Sequence, residues 1–154
     1  MVNSAYRGDG SKKGWTTEAD LIDGIRTNET MMEEMMNTPD SVIFKKVGED
    51  GAIEGCVYLQ EKKDRLYLGL LTVSPIIQSK GFGKQLLALA EEYARMNAKP
   101  VIYMTVISIR QELIDWYERH GYKRTGKAVP FPDASELIRP RQPLILLTFE
   151  KLIS

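Results

Sequence analysis

From Arg65 to Val73 the chain reads RLYLGLLTV, apolar almost without a break. A strand with one wet face alternates apolar and polar residues, whereas a continuous apolar run marks a strand covered on both faces. Such a strand belongs inside a sheet with other elements packed above and below it, which limits the fold to a layered α/β arrangement. The residues after Val73 narrow the fold further. Ser74-Pro75 stops the strand, because proline has no N–H for the ladder. Gln78-Ser79-Lys80-Gly81-Phe82-Gly83 then leads into a helix that opens at Gly83 and carries Leu86, Leu87, Ala90, Tyr93 and Ala94 on one face. Glycines at a strand–loop–helix junction let the backbone approach a ligand, and free N–H groups at a helix N-terminus attract anions. With Lys80 and Lys84 adding positive charge, the segment reads as a cradle for phosphate or pyrophosphate. It is not a Walker A loop, and Leu86 stands where a dinucleotide fingerprint needs its third glycine. An isolated glycine pair is more often a plain turn, so this segment alone decides little.

The remaining elements fit around that strand. Thr17 with Asp20, then Leu21, Ile22 and Ile25, predicts a short helix. Thr30 with Glu33 predicts the start of a second helix carrying Met31, Met32, Met35 and Met36, ended by Pro39. Val42–Val47, Ile53–Gln60 and Arg65–Val73 are three strands joined by tight turns, an antiparallel meander. After the Gly83–Asn97 helix, Val101–Val106 is a strand expected to lie parallel to Arg65–Val73 and to diverge from it near Val73. Ser108 with Gln111 is a capping-box pattern for a helix running to Arg119. Tyr122–Gly126 is a strand, Ala128–Gln142 a long loop, and Pro143–Leu152 a closing strand. The 154 residues fit a single domain.

Composition argues against several functions. The formal net charge is zero, without the basic footprint that nucleic-acid binding needs. One cysteine and one histidine leave no disulfide and no paired-cysteine metal site. Neither a signal peptide nor a spanning segment is evident, so the expected location is the cytoplasm, with no membrane partner.

The stretch Leu113-Ile114-Asp115-Trp116-Tyr117-Glu118-Arg119-His120-Gly121-Tyr122 supplies a second signature. Together with Gln78-x-x-Gly81-x-Gly83 after the apolar strand, it resembles motifs B and A of the GCN5-related N-acetyltransferase (GNAT) family, in the right order and at the right spacing. Residues 2–6 and 14–18 also look like the substrate-side helical region of one bacterial-type branch. The resemblance implies a mixed α/β sheet flanked by helices. Family members begin with an edge strand that is expected here to be missing or short, leaving Val42–Val47 as an edge open to a second chain and thus to a homodimer.

For the site, the resemblance implies that Leu71 and Val73 offer backbone groups to the acetyl carbonyl and pantetheine arm of acetyl-CoA, beside a bulge that splays the strand. N–H groups of Gln78, Ser79, Lys80, Gly81, Phe82 and Gly83 would bind the pyrophosphate, with Lys84 adding charge. Arg110 occupies a donor-binding position where many members carry Asn. Tyr117 matches the family's general acid. Acyl transfer needs an N–H aimed at the developing oxyanion, for which Val73 is the candidate, and a proton for the departing thiolate, which a phenol supplies. The expected activity is transfer of acetyl from acetyl-CoA to a primary amine, on a small molecule or a protein, by direct attack in a ternary complex and without a metal. The alternatives are a non-catalytic acyl-CoA-binding sensor or assembly module and, more weakly, a nucleotide-binding regulator.

No base stands out: Glu18, Asp20 and Glu54 are candidates, but charged residues are usually solvated surface. His120 reads as a capping or surface residue and Cys56 as a small buried hydrophobe. Met31, Met32, Met35 and Met36 are core packing or an adaptable acceptor face, and Trp15 is an anchor or an acceptor wall.

Overall fold

The computed structural model describes residues 1–78, 80–132 and 137–154. The chain opens with helix α1 (Val2–Tyr6) and a 3₁₀ turn (Asp9–Lys13), followed by strand β1 (Ile22–Gly24) and helix α2 (Glu29–Asn37). Strands β2 (Ser41–Val47), β3 (Ile53–Glu61) and β4 (Arg65–Val73) form the expected antiparallel meander. Helix α3 (Phe82–Met96) crosses over to β5 (Val101–Ile107), and α4 (Gln111–Arg119) leads to β6 (Lys123–Pro130), β7 (Ile138–Pro140) and β8 (Ile145–Leu152).

The main sheet has the order β2-β3-β4-β5-β8-β6, and β1 and β7 form a separate antiparallel pair. β2 is an outer strand with no strand partner on its far side among the described residues, the edge anticipated from the sequence. Leu86, Leu87, Ala90 and Ala94 of α3, with Ile114 and Tyr117 of α4, pack on one face of the sheet against Leu66, Leu68, Ile102, Met104 and Phe149. Val2 of α1 with Met32 and Met35 of α2 covers Cys56, Tyr58 and Leu70 on the other. β4 is therefore covered on both faces, as its composition requires.

Two departures from regularity in β4 shape the rest of the molecule. Its parallel pairing with β5 covers only Arg65, Leu66 and Tyr67, opposite Val101, Ile102 and Tyr103. The strands part well before Val73, earlier than expected. Second, Cys56 opposes Thr72 while Tyr58 opposes Gly69, so Leu70 and Leu71 share the single partner Val57. That is a β-bulge, and Leu70 takes φ 50° to make it. The Leu70 carbonyl accepts from Thr72 Oγ1 at 2.9 Å and from Cys56 Sγ at 3.6 Å, which holds the bulge. An extra residue reverses side-chain parity. Leu66 and Leu68 face the α3/α4 layer before the bulge, Leu70 faces away, and Leu71 and Val73 face that layer after it.

Several sequence expectations are corrected. The segment after Thr17 makes a single turn, with Ile22 N–H donating to Glu18 O at 3.0 Å, and then becomes β1. Gly24 explains why: it sits at φ 95°, and a Cβ there would lie 2.0 Å from Leu137 O, so the chain leaves helical geometry to pair with β7. α2 is capped by Asn28, whose side chain accepts from Met31 N–H at 2.8 Å, not by Thr30. Ser108 does not cap α4; Arg110 holds that position, and Ser108 N–H instead donates to Ile145 O on β8. The expected loop Ala128–Gln142 contains the end of β6 and all of β7, and its residues 133–136 lie outside the described ones.

Candidate active site

Where β4 and β5 part, a cleft of about 450 Å³ opens between the end of β4, the start of α3 and the face of α4. Leu71, Val73, Gln78, Gly81, Gly83, Lys84 and Tyr117 line it, so most of the residues singled out from the sequence converge. The pairing of β3 with β4 shows which way the Val73 backbone points. Ser74 N–H donates to Glu54 O at 2.8 Å, which makes Gly55 and Val73 the intervening non-hydrogen-bonded pair. The Val73 amide and carbonyl therefore face away from β3, across the splay. The Leu71 and Val73 carbonyls already accept bonds, from Tyr6 Oη and from Gln78 Nε2. For a ligand, the amide N–H of Val73 is the useful group.

Gly81 sits in the left-handed region, φ 84°, at the N-cap of α3 with no side-chain cap, so the first amides of the helix are presented to the cleft mouth. Gly83 is needed for close approach, since a Cβ there would meet Trp116 Cζ2 at 3.2 Å. Lys84 and Lys80 are exposed, and only Lys84 lines the cleft. Phe82 turns away: its ring packs on the core with Lys46 Nζ 4.3 Å from its centroid, leaving only backbone to offer. The Gln78 side chain is a brace, its Oε1 accepting from Trp15 N–H at 2.7 Å and its Nε2 donating to Thr16 Oγ1 at 2.7 Å and to Val73 O at 2.8 Å. Ser79 lies outside the described residues. Uncapped amides at the helix start and an unpaired stretch of β4 give this cleft a place for an anion and for an extended chain.

A second cavity, about 250 Å³, lies deeper in the splay. Tyr6, Leu71, Leu113 and Tyr117 line both cavities, so Tyr117 stands where they meet. Burial pushes its phenol well above the ordinary range, reinforced by the neighbouring Tyr6. Burial also raises Tyr6, opposed by Arg26. Both phenols hold their protons through neutral pH, the state a proton donor needs.

Arg110 departs from its expected role. Its Nη2 donates to Thr16 O at 2.6 Å and its Nη1 pairs with Glu18 Oε2 at 3.4 Å, so it lines the second cavity and not the first cleft. Arg7 pairs with the other Glu18 oxygen. Of the candidate bases only Glu18 lines either of these two cavities, and both its oxygens are engaged; Asp20 pairs with Lys12 and Glu54 with Lys46 elsewhere. Trp15 walls the first cleft, its ring 5.9 Å from that of Trp116, and does not line the second. Met32 and Met35 are core, and no residue of the methionine cluster lines either cavity. His120 closes α4, its Nδ1 2.7 Å from Trp116 O. Cys56 is buried, and burial pushes its thiol up. The arginine–glutamate cluster has no sequence signal, because residues 7, 18 and 110 follow no spacing rule.

The site is thus a sheet split at a β-bulge, with uncapped helix amides at one end of the split and a buried phenol inside it. The acetyltransferase (GNAT) domain family matches residues 12–131, and the chain belongs to that family. The protein YdhI of Bacillus subtilis (strain 168), itself uncharacterized, is 31% identical over 103 residues, a match spanning 66% of this chain and 61% of that protein. Among solved structures, the ribosomal-protein-S18-alanine N-acetyltransferase from Escherichia coli superposes with TM-score 0.69 at 15% identity, covering 88% of this chain and 83% of that one. A structure from Bacillus anthracis str. Ames, described as a streptothricin acetyltransferase in complex with acetyl coenzyme A, gives TM-score 0.65 at 20% identity over 82% of this chain and 70% of that one. At these identities the structural likeness speaks for the fold. Among the described residues no group of His, Cys, Asp and Glu would hold a metal ion, and no helix is long and apolar enough to cross a membrane.

Proposed function

We propose that this chain is an acetyl-CoA-dependent N-acetyltransferase acting on a primary amine by direct attack in a ternary complex. The observation that carries this reading is the meeting of two cavities at Tyr117 and Leu71, one suited to the donor and one to the acceptor. Acetyl-CoA supplies an acetyl group activated as a thioester; transfer forms a C–N bond and breaks the C–S bond. Val73 N–H is aimed across the splay, where it stabilises negative charge developing on the carbonyl oxygen. Tyr117 holds a proton for the leaving sulfur. The first amides of α3, with Lys84, hold the pyrophosphate. The ammonium form of the amine loses its proton to water, since Glu18 is already committed to two arginines. The test is release of free thiol from acetyl-CoA across an amine library. Tight acetyl-CoA binding with no thiol release from any amine would favour a non-catalytic acyl-CoA sensor.

The cradle makes its own prediction. Gly83→Val adds a Cβ against Trp116, with two γ carbons beyond it, and drives that ring into the cleft. Acetyl-CoA affinity measured by calorimetry is expected to fall at least about tenfold, ~1.4 kcal/mol. Unchanged affinity in a folded variant removes the cradle from α3.

A further inference from the structure

The second cavity carries a charge pattern that speaks to the acceptor. Among the described residues its charged lining consists of Arg7, Arg26 and Arg110 against Glu18 alone. Glu18 sits between Arg7 and Arg110, and the three side chains are only 10%, 5% and 8% exposed. One carboxylate cannot neutralise these cations. Arg26 has its guanidinium 5.7 Å from the centroid of the Tyr6 ring and forms no ion pair with a described residue. Arg7 is buried, yet its Nε has no hydrogen-bond partner. A buried N–H left unpaired costs about 1–3 kcal/mol, more for a charged group, and such an orphan marks a place where a ligand atom completes the set. The guanidinium fork matches the geometry of an oxyanion.

Resting on the N-acetyltransferase reading above, we propose that the acceptor is a small amino acid-like molecule whose carboxylate is held by Arg7 and Arg26 while its amine reaches the junction at Tyr117. The cavity, about 250 Å³, lies below the range of drug-sized ligands, ~300–1,000 Å³, which favours a small molecule over a folded protein surface. The surplus positive charge of its described lining repels polyamines and other polycations. The amine nitrogen bonds to the acetyl carbon, its proton leaves to water, the thiolate is protonated, and the products are an N-acetyl amino acid and free CoA.

The experiment titrates the chain, with and without saturating CoA, with the proteinogenic L-amino acids, their α-carboxamides, the matching decarboxylated amines and spermidine. Thiol release from acetyl-CoA is followed for the same panel. At least one free amino acid is expected to bind at least about tenfold more tightly than its carboxamide, with spermidine not binding, and to be acetylated with the same preference. In Arg26→Gln that preference collapses to about one while acetyl-CoA affinity is retained, which shows that the variant is folded. Equal binding of carboxylate and carboxamide, binding of no carboxylate, or preference for spermidine overturns the proposal. Carboxylate-selective binding without thiol release leaves it standing and defeats catalysis instead; thiol release with cationic amines alone does the reverse.

Discussion

Tyr117→Phe is expected to lower the turnover number by about a hundredfold or more while leaving the Michaelis constant for acetyl-CoA nearly unchanged. The substitution removes one oxygen and keeps a ring that packs edge-on against Trp116 and Tyr122 at centroid distances of 5.1 and 5.8 Å. Tyr117 is 6% exposed, and the surface it retains lies where the two cavities meet. A phenol raised by burial keeps its proton at neutral pH and so stays a hydrogen-bond donor toward the sulfur as negative charge develops on it. A merely structural hydroxyl predicts the opposite pattern, a loss of about 1 kcal/mol of stability with turnover intact. Steady-state kinetics and a denaturation curve on the one variant separate the two, and a stable, fully active Tyr117→Phe enzyme assigns the proton to water.

Glu18→Ala is expected to destabilise the fold by about 3–5 kcal/mol, because it strands two arginines whose side chains are only 5% and 8% exposed. Arg7, Glu18 and Arg110 bring together the end of α1, the turn before β1 and the N-cap of α4, so their pairing fixes the N-terminal segment over the splay. Urea unfolding should show a lower midpoint with an unchanged slope. The pair Arg141–Asp23, about half exposed on each side, is the control: Asp23→Ala should cost no more than about 1 kcal/mol. A Glu18→Ala loss as small as the control's means that the cavity admits water freely.

The central architecture was legible because its signals are long. The meander, α3, α4 and the parallel crossover each rest on strong periodicity or on glycine and proline punctuation. The bulge was not readable from the residues themselves and entered only by family resemblance. In RLYLGLLTV nearly every position is apolar, so one inserted residue changes parity without disturbing the pattern. β1 and β7 are three residues each, too short for helical and strand spacing to differ, and only the pairing of Ile22 with Pro140 across more than a hundred positions decides between them. The pairing of Glu18 with Arg7 and Arg110 was not readable, because a buried ion cluster is assembled by tertiary contacts alone. From sequence, Arg110 goes to the donor by family resemblance and Trp15 reads as an anchor or an acceptor wall, because neither residue's neighbours can be read from the chain.

A crystal structure of the chain with CoA bound tests the central claim most directly. The pantetheine should run along β4 past Val73, with the pyrophosphate on the first amides of α3 and the sulfur within hydrogen-bonding reach of Tyr117 Oη, about 3.5 Å. CoA bound outside the split between β4 and β5, or bound there with its sulfur turned away from Tyr117, contradicts it.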